Sequence, residues 1–390
     1  FFDKYKPEIL FTSPVSGKVS AIVRGERRRI LEVVIRADEE MRYESFRQGD
    51  PSTMKREEIT ENLLKSGLWP FIRQRPYNII ANPQDTPKAI FISCFDTSPL
   101  APDYDFSLKG EEESFRNGIN ALLKLTDGKI HLGVNGDYPV TDVFGNLDNV
   151  QYSFFRGPHP AGNVGIQIHH IDPVNKGDLV WTVNPQDVIM IGRLFEKGTY
   201  NASRVVALTG SEIKTPRYYK TMNGASIEPL IRDNLISRNL RFVSGNVLTG
   251  KRIQKNGFIG YYDSQVTVIP EGDHFEFIGW ALPGLKKYSM SRTFLAWMMP
   301  NREFRLDTNL NGGRRAFVMS GQYEKVLPMD IYPVQLLKAI LVEDIDLMEN
   351  LGIYEVAEED MALCEYVCTS KTEVQTILRQ GFELMIKELG

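Results

Sequence analysis

Cysteine is scarce in this chain of 390 residues, which contains only Cys94, Cys364 and Cys368. Three thiols are too few for a disulfide scaffold, and an odd number suits a reducing compartment. A four-iron cluster needs four thiolates, so the chain alone cannot hold one. The N-terminus also lacks the charged-then-apolar pattern of a secretory signal. These absences predict a protein of the cytoplasm.

Long apolar runs are absent as well. A membrane span needs roughly 18 consecutive apolar residues, whereas the longest candidates here, such as residues 89–95, have the length of a strand. We therefore predict no transmembrane segment in this sequence. The net charge of −4 argues against a nucleic-acid partner, because phosphate backbones are bound by a surplus of Lys and Arg. The dense basic run at residues 24–29 is expected to be a solvated turn, with an acidic partner or lipid headgroups as alternatives.

The sequence predicts several domains. Its length exceeds what one hydrophobic core supports, and 42% apolar with 25% charged residues indicates soluble globular structure. Alternating strand and helix patterns predict a mostly parallel sheet covered on both faces, so the fold class is α/β and α+β multidomain. Five segments are predicted: a partial barrel-sandwich domain at 1–45, an α/β domain at 46–202, a β-grasp domain at 203–243, a strand-rich segment at 244–325 and a helical C-terminal domain at 326–390.

The first of these segments carries the pattern Pro14-x-x-Gly17-x-Val19, as in half of a biotinyl- or lipoyl-type domain. Gly17 is expected to permit a tight reversal between strands. Carriers of that fold have a modified Lys at a hairpin tip, but the tip at 24–29 has none, which excludes a swinging-arm carrier. Further on, a helix is predicted at 54–66, capped by Ser52 or Thr53 and ended by Gly67.

The stretch 154–172 contains three of the five histidines and three glycines. Glycine-rich backbone can form a nest of N–H groups for a flavin or nucleotide phosphate. The candidates for such a site are Arg156, Gly157, His159, Gly162 and Gly165. The strict Gly-x-Gly-x-x-Gly spacing is absent, so the alternative is a loop kept rich in glycine because it packs close to a neighbour.

Other reactive groups in the sequence form no complete site. His169 and His170 point in different directions on a strand or a helix, so we predict no metal site there. No Gly-x-Ser-x-Gly or His-Glu-x-x-His motif occurs, and we predict no catalytic residue. Cys364 and Cys368 share one face of a predicted helix. They are expected to be core residues, with a redox pair or a contribution to an intersubunit site as alternatives.

Several motifs together resemble the A subunit of the Na⁺-translocating NADH:quinone oxidoreductase (Na⁺-NQR) family. They are residues 68–76 (LWPFIRQRP), 89–92 (AIFI), 96–101 (DTSPLA), 159–162 (HPAG), 180–182 (VWT), 186–189 (QDVI), 281–284 (ALPG) and 358–368 (EEDMALCEYVC). The resemblance covers essentially the whole chain. It implies a Rossmann-like α/β domain, a β-grasp domain of the soluble-ligand-binding type and a helical C-terminal domain. That order is similar to the flavin-binding subunit of respiratory complex I and to the C subunit of the Rnf complex.

The resemblance also implies a setting. Members of this family are peripheral subunits on the cytoplasmic side of the bacterial inner membrane, bound to the membrane and peripheral subunits of their complex. That complex uses NADH, flavins, an iron centre, quinone and Na⁺. The related flavin-binding subunits hold FMN in a glycine-rich loop and a cluster in the helical domain. Because this chain lacks both motifs, we expect it to bind no cofactor itself, and the family's usual His is here Gln167.

Three functions follow as hypotheses. The first is a scaffold or coupling subunit of the sodium pump, near its quinone end, in which the isolated chain is not catalytic. The second is a flavin- or nucleotide-binding electron-transfer subunit that uses the loop at 154–172. The third is a homo-oligomeric module that binds a ligand through the β-grasp domain. Quinone binding has been proposed for the family, but the sequence assigns no residues to it.

Overall fold

The computed structural model describes residues 1–274, 276–279, 282–290, 292–299 and 301–389. The chain opens with an antiparallel hairpin of β1 (Gly17–Arg24) and β2 (Ile30–Ala37), whose tip is the basic run. The predicted reversal at Gly17 is wrong, because this residue lies in β1 opposite Ala37. A Cβ on Gly17 would lie 2.2 Å from the carbonyl oxygen of Arg36. The glycine is therefore needed for the close approach of the partner strand.

Helix α1 (Arg56–Ser66) ends at Gly67 as predicted, with φ of 76°. Its predicted N-caps are wrong. Ser52 and Thr53 belong to a separate 3₁₀ turn, which is capped by the carboxylate of Asp50. The helix instead begins after Lys55, whose backbone N–H donates to the Glu58 carboxylate at 2.9 Å.

A six-stranded, mostly parallel sheet forms the centre of the molecule, as predicted. In space its strands follow the order β4-β3-β8-β5-β6-β7. The stretch β8-β5-β6-β7 is parallel, and β3 runs antiparallel to β8. In chain order, the elements are β3 (Arg73–Arg75), β4 (Ile79–Ile80), β5 (Ala89–Ser93), α2 (Tyr104–Ser107), α3 (Glu112–Leu123), β6 (Lys129–Asn135), β7 (Val150–Phe155), α4 (Val164–Ile171), β8 (Val180–Thr182) and α5 (Pro185–Lys197).

The next sheet has five strands in the order β10-β9-β13-β11-β12 and a core of its own. Strand β13 lies between β9 and β11 and runs parallel to β9. The sheet therefore extends beyond the predicted boundary at 243, and the other predicted boundaries stay predictions. Its elements are β9 (Ser203–Thr209), β10 (Arg217–Met222), α6 (Glu228–Ile231), β11 (Leu240–Ser244), β12 (Lys251–Ile253) and β13 (Gln265–Pro270).

The strand-rich segment predicted at 244–325 includes β12 and β13, but the prediction is wrong for the part of 271–320 that the structure describes. There the chain forms turns and one 3₁₀ turn, Leu295–Met298, and no strand. The physical reason is that the glycines in this segment bend the chain back on itself. Gly284 has a φ of 59°, and local hydrogen bonds such as Leu295 N–H to the carbonyl oxygen of Pro283 at 2.9 Å close the loop.

Four helices complete the chain, as predicted from its helical periodicity. They are α7 (Pro333–Leu341), α8 (Ile345–Asn350), α9 (Ala362–Val367) and α10 (Val374–Leu389). Helix α9 begins only at Ala362, because Asp360 accepts a hydrogen bond from Ala357 N–H and holds the preceding residues in a turn. Cys364 is inside α9 and Cys368 follows it, and both are buried.

The two faces of the central sheet belong to different cores. On β5, Ile90 and Ile92 pack with α1, α3 and α5, whereas Ala89 and Phe91 pack with α4 and the C-terminal helices. The helical C-terminal domain thus supplies the cover for one face of the parallel sheet. Among the described residues, none of the helices combines the length and the apolar character that crossing a bilayer requires.

Helices α3 and α5 cross at Gly118 and Gly192, one on each helix. This close crossing predicts how a substitution there changes the stability of the protein. A Cβ on Gly192 would lie 1.7 Å from the carbonyl oxygen of Ser114, and backbone cannot yield as a flexible side chain would. We expect Gly192→Ala to force the helices apart and lower the free energy of unfolding by about 2–3 kcal/mol or more. Urea unfolding followed by circular dichroism measures this.

Gly313→Ala is the matched control for that substitution. No heavy atom lies within 4 Å of its added Cβ, and its φ is outside the left-handed region. We expect a change of less than about 0.5 kcal/mol. Equal effects of the two alanines would contradict the close crossing.

Candidate functional site

A cavity of about 330 Å³ opens at the carboxyl ends of β5 and β8. The chain leaves β5 towards β6 on one side and reaches β8 on the other side, so the strand order reverses between these two strands. Ligands of open α/β sheets bind at such a switch point. The charged and aromatic side chains that line the cavity are Phe71, Arg73, Arg75, Phe95, Asp96, Tyr104, His159, Asp187, Tyr262 and Glu359.

Only some of the predicted loop candidates lie in the wall of the cavity. His159 and Gly162 line the cavity, whereas Arg156, Gly157 and Gly165 do not. Arg156 is exposed, and its Nε donates to the carbonyl oxygen of Gly136 at 2.8 Å. Gly157 has a φ of 129° and serves the turn before the loop. The candidates therefore do not form one phosphate nest.

His159 and Gly162 meet at the hydroxyl of Thr97. Gly162 N–H donates to Thr97 Oγ1 at 2.9 Å, and the same oxygen lies 3.2 Å from His159 Nδ1. Because the hydroxyl accepts from Gly162, its own proton can be donated to Nδ1, which leaves the imidazole proton on Nε2. Burial lowers the pKa of His159, although the charge of Asp96 opposes this. The structure thus favours a neutral histidine in the cavity wall.

The N-terminus of α4, where a phosphate would be expected, is in contact with a carboxylate of the chain itself. A Cβ on Gly165 would lie 2.1 Å from Asp360 Oδ2. Asp360 is fully buried and pairs with Arg75 Nη1 at 3.3 Å, and Arg75 also pairs with Glu359 at 2.8 Å. Burial raises the pKa of Asp360, and the Arg75 charge opposes that rise. A phosphate here would meet a like charge, so these residues do not fit a flavin or nucleotide phosphate at α4.

A buried ion pair joins the two sheets beside the cavity. Asp187, in the first turn of α5, lies 2.7 Å from Arg204 on β9, and both side chains are almost completely buried. Burial raises the pKa of Asp187 to about 6, against the opposing effect of Arg204. The Arg204 guanidinium also lies over the Phe71 ring, at 5.8 Å from its centre. This pair positions the second sheet at the rim of the cavity.

The other two histidines of the stretch bind the C-terminal region. His169 Nδ1 lies 2.6 Å from Glu355 Oε2, and its Nε2 accepts from Asp330 N–H at 3.1 Å. His170 Nε2 lies 3.1 Å from the carbonyl oxygen of Pro328. Among the residues that the structure describes, no group of three or more His, Cys, Asp or Glu side chains could hold a metal ion. The two histidines therefore act in domain packing.

Sequence reasoning missed most of the cavity lining. Asp96 and Asp187 follow the ends of β5 and β8, so the rule for switch points could have found them. Tyr262 and Glu359 come from the second sheet and the C-terminal domain. No local pattern in the sequence predicts that they meet the α/β domain.

Comparison with known proteins gives consistent matches along the chain. Models described as the NqrA N-terminal barrel-sandwich hybrid domain, the NqrA second alpha/beta domain and the NQRA C-terminal domain match residues 1–38, 54–200 and 205–255. The A subunit of the Na⁺-translocating NADH-quinone reductase of Neisseria meningitidis serogroup A is 42% identical over 393 residues, which cover 100% of this chain and 87% of that protein. The chain belongs to the family of these A subunits, the NqrA family.

Further relatives in the NqrA family come from other bacteria. The Yersinia pestis bv. Antiqua protein is 42% identical over 97% of this chain and 85% of its own length. The Rhodopirellula baltica protein is 40% identical over 100% of this chain and 86% of its own length. Among solved structures, an air-oxidized NAD⁺-reducing [NiFe]-hydrogenase covers 89% of this chain and 67% of its own at 11% identity, with a TM-score of 0.42, too low to support an inference. Of the motifs that indicated the family, Ala281 lies outside the described residues.

The raised pKa of Asp187 generates a pH prediction. The folded protein takes up a proton near pH 6 that the unfolded chain binds only near pH 4. The contribution of Asp187 to the free energy of unfolding therefore falls as pH rises from about 4 to about 6, by up to roughly 3 kcal/mol. Asp187→Asn should remove this part of the pH dependence, as measured by urea unfolding at several pH values.

The exposed Asp137 provides the control, because Asp137→Asn changes the same group without changing a buried one. That variant should keep the wild-type pH dependence. If Asp187→Asn also keeps it, the carboxyl is ionised normally in the fold.

Proposed function

We propose that this chain is a peripheral subunit of a sodium-translocating NADH:quinone oxidoreductase, on the cytoplasmic side of the bacterial inner membrane. There it supports electron transfer from NADH to quinone, coupled to Na⁺ export, as a scaffold and coupling subunit. Its partners are the membrane and peripheral subunits of the complex, and the complex supplies the flavins and the iron centre. The names of relatives that are 40–42% identical along the whole chain support this proposal.

One observation carries the scaffold role. The buried carboxylate of Asp360 lies against Gly165 in the first turn of α4, and the loop before this helix joins the sheet to the C-terminal domain. Asn163 Nδ2 adds a hydrogen bond to the carbonyl oxygen of Glu359 at 3.0 Å. Residues that would hold a cofactor in a flavin-binding relative are therefore used for packing between parts of this chain.

A second candidate function rests on the cavity. Its volume of about 330 Å³ falls in the range of small-molecule sites, and its wall is mostly polar, with the rings of Phe71, Phe95, Tyr104 and Tyr262 set among charged and amide side chains. Arg73 lies over the ring of Tyr262 at 5.0 Å, and Asn184 Nδ2 donates to Tyr104 Oη at 3.0 Å. Such a wall suits a planar ring with polar edges, the shape of a quinone headgroup or of a flavin ring. Because His159 and Gly162 line the cavity, this second candidate function also involves the loop at 154–172.

Assembly of the complex tests the scaffold role. A complex reconstituted without this chain should lose sodium-coupled quinone reduction. Gly165→Ala should lower incorporation of the chain severalfold, because the added Cβ displaces Asp360. Arg156→Ala, an exposed change in the same stretch, is the control and should assemble normally. Unchanged assembly and sodium transport without the chain would refute the proposal.

Ligand titration of the purified chain tests the second candidate. A soluble short-chain quinone should quench the intrinsic fluorescence saturably, and Tyr262→Ala should weaken that binding about tenfold through loss of a ring contact in the cavity wall. Tyr138→Ala, at an exposed position outside the cavity, is the control. A visible spectrum of the same preparation distinguishes a tightly bound flavin. Quenching that does not saturate, or that survives Tyr262→Ala, counts against this site.

A further inference from the structure

An exposed loop between the second sheet and the C-terminal domain combines apolar and basic side chains. We call residues 282–290 and 292–299 the basic apolar loop. Trp297 is 51% exposed and Met298 is 55% exposed, although residues of these types usually lie inside. The other exposed apolar side chains of the loop are Leu282, Leu285, Tyr288, Met290, Leu295 and Met299. Eight exposed apolar side chains in one short described loop indicate an interaction surface.

The charge of this loop is of one sign. Between residues 282 and 299 the sequence has Lys286, Lys287 and Arg292 and no acidic residue, in a chain whose net charge is −4. Lys287 pairs with Glu276 at the base of the loop. Lys286 and Arg292 are exposed, and the Arg292 guanidinium lies 5.6 Å from the centre of the Trp297 ring. Cationic and aromatic groups are thus presented together.

The loop is attached firmly enough to present these groups. Leu295 N–H donates to the carbonyl oxygen of Pro283, and Lys287 lies over the Phe294 ring at 5.4 Å. Tyr288 contacts Phe304 and, with ring centres 6.4 Å apart, Tyr366 of α9. Ala296 points inward and is buried, whereas its neighbours Leu295 and Trp297 are exposed. The apolar side chains therefore remain outside a loop that is itself folded.

We propose that the basic apolar loop binds the surface of an anionic lipid bilayer. Trp297, Met298 and Leu295 enter the headgroup region, and Lys286 and Arg292 bind lipid phosphates. Tryptophan and tyrosine favour that depth of a membrane, and basic residues beside apolar ones are typical of surface-bound segments. This inference rests on the proposed function, which brings the chain to the cytoplasmic face of the membrane.

Charge favours lipid, rather than an integral membrane protein, as the partner. Cytoplasmic loops of membrane proteins carry an excess of Lys and Arg, which would repel Lys286 and Arg292. The cytoplasmic leaflet is negative and attracts them. The net charge of the chain is −4, so the chain as a whole is not attracted to a negative leaflet. Binding through the basic apolar loop would then fix the orientation of the chain on the membrane.

Vesicle flotation of the full chain tests this inference. The chain should float with vesicles of phosphatidylglycerol and phosphatidylethanolamine, and much less with vesicles of phosphatidylcholine alone. The double variant Lys286→Glu and Arg292→Glu should lower the partition coefficient at least about 30-fold, since each basic residue near the surface contributes about fivefold. Raised salt should weaken wild-type binding, because it screens exposed charges.

Matched variants distinguish lipid binding by this loop from a general effect of the net charge of the chain. Arg28→Glu with Arg29→Glu at the hairpin tip makes the same change of net charge elsewhere and should alter binding less than about twofold. Trp297→Ser should lower the binding that survives high salt. All substituted side chains are exposed, and circular dichroism confirms that the variants fold. Equal loss in the hairpin control, or equal binding to phosphatidylcholine, would overturn the assignment.

Assembly of the complex separates failure of this inference from failure of the proposed function. Loss of assembly in the loop variant, with no vesicle binding by the wild type, would assign the loop to one of the membrane subunits of the complex and overturn the lipid contact. Normal assembly of the loop variant, with no vesicle binding by the wild type, would also overturn the lipid contact. The proposed scaffold role would then still stand. Vesicle binding that depends on the loop supports it even if the complex works without the chain.

Discussion

Arg75 is the residue on which the arrangement of the molecule depends most. Its side chain is 2% exposed, and it pairs with Asp360 and Glu359 of the C-terminal domain from β3, which lies between β4 and β8 in the central sheet. A buried charge is tolerated only with a partner in good geometry, so removing either side leaves an uncompensated charge. The pairing specifies one position for the C-terminal domain. Gly165 lets α4 approach the same carboxylate, and Glu359 becomes part of the cavity wall.

The parallel sheet explains why that domain is required at all. A parallel sheet needs both faces covered, and here α3 and α5 cover one face and the C-terminal helices, with α4, cover the other. The buried pair Asp187–Arg204 adds a similar constraint for the second sheet. The three parts of the chain therefore meet around the end of the sheet where the strand order reverses, and the cavity lies where they meet.

Local signals in the sequence predicted local structure well. The predicted end of α1 at Gly67 is confirmed, and α5 likewise begins and ends at local signals, with Asn184 as its cap, Pro185 as its first residue and Gly198 just past its end. The cap of α1 was wrong because Asp50 forms a competing turn. The strand-rich segment predicted at 244–325 was wrong after Pro270, where the described residues up to 320 form turns and no strand.

Contacts between distant parts of the chain could not be predicted. Strand β13 enters between β9 and β11, and no periodicity shows such an insertion. Of the loop candidates, His159 and Gly162 line the cavity, but the position of Gly165 against Asp360 depends on a residue in another domain. Two of the motifs that indicated the family do form such contacts, since Arg75 of the first pairs with Glu359 and Asp360 in the segment 358–368.

The shared wall of the cavity has a thermodynamic consequence. Groups from the central sheet, the second sheet and the C-terminal domain all face the same space, so a molecule bound there contacts all three. Linkage then requires reciprocity: the factor by which docking of the C-terminal domain strengthens such binding is also the factor by which binding strengthens docking. Binding of a molecule in the cavity and docking of the C-terminal domain are therefore thermodynamically coupled, and each stabilises the other to the same extent.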